Sequence, residues 1–230
     1  MANPFIIVPS SIVITFLVFI HELGHFIVAY FCGAKVLKIL IYPLGGISKF
    51  SISYNISIWR EFLILIFGPL FQTFAWLFLI LLFPDKNILI TTYHLGILFF
   101  NLLPIYPLDG GKLLCLFFHF FVSYKKAFYF TVLLGYLLLF CFCYFYFISF
   151  SFNILFLVVF LFIKLCQEFK QISYYYEKFL LERYLNHYNF RKSKVVDSLN
   201  KFQRGYRHLI KQNGVYYLEQ EYLEKKYKSC

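Results

Sequence analysis

The chain has 230 residues, 61% hydrophobic and 24% aromatic, with only 14% charged and a mean hydropathy of +0.70. Soluble domains carry about a quarter charged residues, so the composition excludes an ordinary water-soluble protein and requires a bilayer as solvent. The formal net charge of +11 would suit a nucleic-acid partner, but Lys and Arg flank the apolar runs as membrane orientation requires, so no direct nucleic-acid contact is expected.

A ~30 Å hydrocarbon core takes about 20 helical residues to cross. The first apolar run, 5–31, contains "VFIHELGHFIVAYF", which places His21, Glu22 and His25 among greasy neighbours. The first 34 residues hold no Lys or Arg, so no secretory signal fits. Next comes "KVLKILIYPLGGISKFSISYN", whose partial period-two alternation around Pro-Leu-Gly-Gly predicts a short membrane-associated hairpin. A second span at 62–83 carries Gly68-Pro69, and a turn around Asp85 follows.

The third run, 88–121, contains His94, His119 and "NLLPIYPLDGGKLL". Pro104 and Pro107 remove backbone donors, and Gly110 and Gly111 are expected to loosen the chain, so this span should be broken near Asp109. A fourth span is predicted at 127–147 and a short fifth at 150–163. The sequence then turns polar and helical, and "RHLIKQNGVYYLEQEYL" ends it with strand signals around an Asn-Gly turn, a small α/β tail. This gives a membrane domain at 1–166, a helical linker at 167–193 and a tail module at 194–230. Cys32, Cys115, Cys141, Cys143, Cys166 and Cys230 show no C-x-x-C spacing and read as reduced small hydrophobes.

Charge sets the orientation. After Lys164 the chain has 13 basic and 7 acidic residues, so the tail is expected in the cytoplasm. Working back, the loop after residue 149 and the Asp85 turn lie outside, while Lys125-Lys126 and the Lys35 loop lie inside. The expected fold is therefore a membrane all-α bundle of about five transmembrane helices with one broken span.

His21 and His25 are four apart, which on a helix stacks both imidazoles on one face within reach of one ion. With Glu22 between them they form H-E-x-x-H, in which two histidines hold zinc and the glutamate acts as general base on water. The plain alternative is two polar residues buried against a neighbouring helix, but ionisable groups inside a span are costly and by default mark function. Catalytic zinc usually has three protein ligands, and the carboxylate placed to be the third is Asp109. Against this, Asp109 would merely cap the next helix. At 1.5 Å per residue His21 lies about 15 Å from the inner end of its helix, so the site is expected in the inner half of the membrane. His94 and His119 have no partners at ligand spacing and are expected to be structural or to support ligands from behind. His187 and His208 are expected to be solvated.

HELGH at 21–25, Gly68-Pro69 and N-x-x-P-x-x-P-L-D-G-G at 101–111 resemble the site-2 protease family of intramembrane zinc metalloproteases. "NLLPIYPLDGGKLL" and "FLLERYL" are similar to its sporulation branch. The resemblance implies that His21, His25 and Asp109 hold Zn2+ and that Glu22 is the catalytic base. It also implies that Asn101 and Pro107 lie near the substrate backbone or the developing oxyanion. The implied substrate is a membrane-tethered protein, in the sporulation branch a pro-sigma factor, and inhibitory membrane proteins are implied partners. The implied location is the mother-cell membrane around the forespore. Members of that branch have a further span ahead of HELGH, whereas this chain begins twenty residues before His21. They also end in a nucleotide-sensing CBS domain, of which the tail resembles a reduced version, so ATP binding there is not expected. The rival readings are a zinc transporter and a pseudo-protease. A transporter needs ionisable residues along several spans, and a pseudo-protease is expected to have lost Glu22.

Overall fold

The structure, a computed structural model, describes residues 10–33, 35–42, 45–51, 53–149, 152–186, 188, 190–212 and 214–228. Its elements run α1 (Ser10–Phe31), β1 (Lys35–Tyr42), β2 (Gly45–Ser51), α2 (Ile58–Leu82), α3 (Asn87–Asn101), α4 (Asp109–His119), α5 (Tyr124–Ser149), α6 (Phe152–Leu185), β3 (Lys192–Val196), β4 (Tyr206–Gln212), β5 (Val215–Leu218) and α7 (Glu219–Lys228). They fall into two compact units, one of residues 1–52 and 60–101, the other of 53–59 and 102–230. Among the described residues, Ser10–Phe31, Ile58–Leu82 and Tyr124–Tyr144 are long and apolar enough to cross a membrane.

In the first unit, α1 and α2 are continuous apolar helices. Val13 and Leu17 of α1 pack with Ala75 of α2 and Ile90 of α3 in a buried core flanked by Trp76 and Leu79. The predicted hairpin forms: β1 pairs antiparallel with β2, and Tyr42 opposite Gly45 leaves a two-residue connection. A 3-10 turn, Pro84–Lys86, uses Pro84 at its start, where a missing N–H costs nothing. The apolar run at 88–121 breaks as the prolines predict, ending α3 at Asn101 and restarting at Asp109.

In the second unit, the glycines after that break do not act as expected. Gly110 and Gly111 are buried inside α4 rather than loosening the chain. A Cβ on Gly110 would lie 2.1 Å from the Leu102 carbonyl oxygen, and one on Gly111 would lie 2.4 Å from the Ile105 carbonyl carbon. They are small because the preceding segment folds back onto them. The Tyr106–Pro107 peptide bond is cis.

The short apolar stretch expected at 150–163 continues without a break into the polar helical stretch expected after it. From Phe152 to Leu185 the chain is one 34-residue helix, about 51 Å long at 1.5 Å per residue. It stays against α5 well past residue 163: Gly135 meets Leu165, Tyr129 meets Phe169, and the Tyr124 ring stacks on Phe179 at 4.2 Å.

The tail is a three-stranded sheet in the order β3-β4-β5 followed by α7. Residues 192–196 are a strand parallel to β4. The Val195–Val196 pair fits a half-buried pleat better than a helix. β4 and β5 form an antiparallel hairpin with Gln212 opposite Val215, and Gly214 takes the positive φ of 82° that such a turn demands. The Tyr124 N–H donates to the Phe202 carbonyl at 2.9 Å, tying the start of α5 to the tail.

Candidate metal centre

HELGH lies in the middle of α1, so its i and i+4 histidines share a face, and both are buried, His21 at 2% exposure and His25 at 7%. Their Nε2 atoms are 3.1 Å apart. What decides the chemistry is the other nitrogen of each ring. Nδ1 of His25 is 2.7 Å from the Ile64 carbonyl, which only accepts, so Nδ1 carries the proton. Nδ1 of His21 is 3.0 Å from Oε1 of Gln72. The Gln72 amide is oriented by its own Nε2, which donates to the His94 carbonyl at 3.0 Å and lies 3.2 Å from His94 Nδ1.

Both histidines are thus held as Nδ1–H tautomers, and their Nε2 lone pairs face each other. Two such lone pairs at this distance repel unless a cation sits between them. Tetrahedral zinc with Zn–N bonds of about 2.0–2.1 Å would set two imidazole nitrogens about 3.3 Å apart. The observed spacing is within a few tenths of that, so the pair fits a metal ion.

The helix facing α1 is cut to fit the rings. Gly68 is buried, and a Cβ there would lie 2.3 Å from the His25 ring. Gly24 likewise comes close enough that a Cβ would lie 2.4 Å from the Phe67 carbonyl oxygen. Pro69 supplies no N–H to the Leu65 carbonyl, so α2 lacks one ladder bond next to Ile64. The pair Gly68-Pro69, visible in the sequence, therefore has a physical role at the ligand.

Asp109 is 6% exposed and opens α4, where the helix dipole favours a carboxylate. The N-cap is Leu108 and shows no side-chain cap bond, so capping by Asp109 is not what the structure shows. Lys112 Nζ lies 3.2 Å from Asp109 Oδ1. Glu22 is part-buried beside the two histidines on α1; Asn101 is the last residue of α3, and Pro107 lies in the segment before α4.

Two participants escaped the sequence reading or were only half seen. Gln72 was missed, although an amide in the middle of an apolar span is the same kind of signal as a buried histidine. His94, expected to be structural or to support a ligand, is buried, contacts Gln72, and stacks on Trp76 at 4.9 Å. His119 is also buried, stacked on Tyr124, with no hydrogen-bond partner for its Nδ1.

In the tail, His208 is fully buried rather than solvated. It belongs to a cluster around Arg183 of α6, which donates to Glu219 at 2.8 Å, to Asn55 at 2.7 Å and to the Tyr206 and Gln203 carbonyls at 3.0 Å. The guanidinium also lies against Phe179 and Phe190. His187 lies outside the described residues.

The family model for peptidase family M50 matches residues 9–89. Stage IV sporulation protein FB of Bacillus subtilis is 34% identical, with 84% of this chain and 74% of that protein covered. A zinc metalloprotease of Methanocaldococcus jannaschii is 38% identical over 42% of this chain and 30% of its own length. Among solved structures, the site-2 protease from Methanocaldococcus jannaschii superposes with a TM-score of 0.57 and 26% identity, covering 72% of this chain and 80% of that one.

Proposed function

The chain belongs to peptidase family M50 and is a membrane zinc metalloprotease of the site-2 type; from that premise we propose that it cuts a membrane-tethered protein with one zinc ion held by His21, His25 and Asp109. The observation that carries the reading is the buried pair of Nε2 atoms 3.1 Å apart, each imidazole fixed by a bond at its other nitrogen. Asp109, buried at the start of α4, is the proposed third ligand, since a His-His site takes a carboxylate as its remaining ligand.

Zinc, when bound, supplies a Lewis acid that makes water nucleophilic at neutral pH and polarises the scissile carbonyl. The protein's own groups do the rest. The two imidazoles are oriented by Gln72 and Ile64 so that their Nε2 atoms face one point. Glu22, next to His21 on α1, takes the proton of the attacking water and passes it to the leaving amine. Asn101 and Pro107 flank the break in the third span, where they can hold the substrate backbone. A substrate helix must unwind before its carbonyls become available, and broken backbone at membrane depth is tolerated where water reaches it.

Similarity to Stage IV sporulation protein FB supports a sporulation setting. The substrate of this reading is a membrane-bound pro-sigma factor, and membrane proteins silence the enzyme until it is needed. The protein sits in the mother-cell membrane with its tail in the cytoplasm. Residues 1–166 form the protease domain, 167–193 the linker and 194–230 the reduced CBS-like tail.

The deciding experiment is co-expression with a candidate membrane-tethered precursor. Wild type should release a fragment, identified by mass spectrometry, and Glu22→Gln should release none while retaining stoichiometric zinc. Equal cleavage by the two proteins would overturn the reading.

A further inference from the structure

We infer that Gln72 is a positioning residue for the metal centre, its side-chain oxygen selecting the His21 tautomer that can ligate. The inference rests on the zinc site proposed above. It concerns a residue that no ligand motif contains.

A neutral imidazole carries its proton on either nitrogen, and only the form with Nδ1–H leaves Nε2 free to ligate. For His25 the choice is made by backbone, because the Ile64 carbonyl accepts its Nδ1–H at 2.7 Å. For His21 the acceptor is a side chain, Oε1 of Gln72 at 3.0 Å. An amide can turn over and present N–H instead, which would force the wrong tautomer on His21. In this structure it is prevented from turning. Gln72 Nε2 faces two acceptors on one residue, the His94 carbonyl at 3.0 Å and His94 Nδ1 at 3.2 Å.

The His94 ring is in turn held flat against Trp76, at 4.9 Å and 10° between planes. Trp76 Nε1 donates to Thr91 Oγ1 at 3.0 Å, which donates to Asn87 Oδ1 at 3.0 Å. Gln72 is completely buried, so water cannot substitute for either side of the amide. The sequence Trp76, His94, Gln72, His21 is therefore a chain of fixed orientations running through α2, α3 and α1.

The prediction separates acceptor chemistry from packing. Gln72→Leu keeps most of the volume and removes the acceptor. Gln72→Glu keeps nearly the same volume and an oxygen acceptor toward His21. Zinc affinity of the purified, detergent-solubilised protein is measured by competition with a chromophoric chelator. Loss of a bond that supports a zinc-ligating histidine typically costs ten- to a hundredfold in affinity, so Gln72→Leu should weaken zinc by about that factor and Gln72→Glu should restore most of it. Gln72→Leu binding as wild type, or Leu and Glu variants weakened equally, would overturn the inference.

His21→Ala is the control for the underlying site. If it binds zinc as tightly as wild type, the zinc assignment itself fails, whatever Gln72 does. Should Gln72→Leu not fold, nitrogen-15 NMR of zinc-free wild type decides. The His21 ring protonated at Nδ1 supports the inference, and protonation at Nε2 overturns it.

Discussion

A methyl group on residue 68 would lie 2.3 Å from the His25 ring, well inside any real carbon contact. Helix propensity argues the other way, since Ala in a helix interior is better than Gly by about 1 kcal/mol. Sterics win because the ring is the nearest thing that can move, and moving it breaks the 2.7 Å bond to Ile64. Gly68→Ala should therefore lower zinc affinity by at least about tenfold, the range seen when a bond behind a ligand is lost, while the helix content in circular dichroism stays as in wild type. Unchanged zinc binding would mean that the fit of His25 against α2 does not matter. At the same scale, HELGH was legible in the sequence because i and i+4 fall on one helical face whatever surrounds them. The partners of the two rings were not legible. Gln72 is 51 residues from His21 and Ile64 is 39 residues from His25, and periodicity along one helix carries no information about its neighbours.

Among the elements, the tail shows most clearly how burial changes the meaning of a residue. His208 accepts the Gln203 backbone N–H at Nε2, at 3.0 Å, and its Nδ1 lies 3.4 Å from Glu219 Oε2. Burial pushes its pKa below the ordinary histidine value, Glu219 of α7 pulls it back up, and Arg183 of α6 and Lys194 of β3 push it down again. Glu219 is held below the usual carboxylate range by His208 and Arg183, against its own burial. The sign of the linkage follows. With the folded value below the unfolded one near 6.5, the unfolded tail binds the proton more readily as pH falls past 6.5. The stability that neutral His208 contributes is present above that value and is lost between it and the lower folded value. Hydrogen exchange of the Gln203 and β4 amides, corrected for intrinsic rates, should show less protection near pH 5.5 than near pH 7.5 in wild type. His208→Gln should show a much flatter difference. Equal protection of wild type at both pH values would remove His208 from the docking of the tail. A histidine in a polar, basic tail reads as solvated; the Phe202 ring stacked on it at 4.2 Å and the Arg183, Glu219 and Gln203 groups around it make it otherwise.

For the molecule as a membrane protein, orientation is the property that the charge distribution predicts, and it is testable without knowing the substrate. Basic residues after Lys164, at Lys125-Lys126 and in the Lys35 loop should all face the cytoplasm. A fluorescent protein fused after Cys230 should fluoresce, and alkaline phosphatase inserted at the Asp85 turn should be active. The reverse pattern would invert the topology and put Glu22 on the wrong side for substrate entering from the cytoplasm. The hydrophobic composition, the break between α3 and α4, the hairpin after α1 and the shared face of the two H-E-x-x-H histidines were determined by the sequence alone, because each depends on local periodicity, proline chemistry or net transfer into lipid. Tertiary structure decided the rest: that α6 runs unbroken to Leu185, that Gly110 and Gly111 admit a backbone rather than loosen one, and that Gln72, His94 and Arg183 stand where they do. The glycines answer to how a neighbouring segment folds back, and Gln72 and Arg183 to residues far away in the chain, because a buried polar side chain is satisfied only by whatever the fold brings to it.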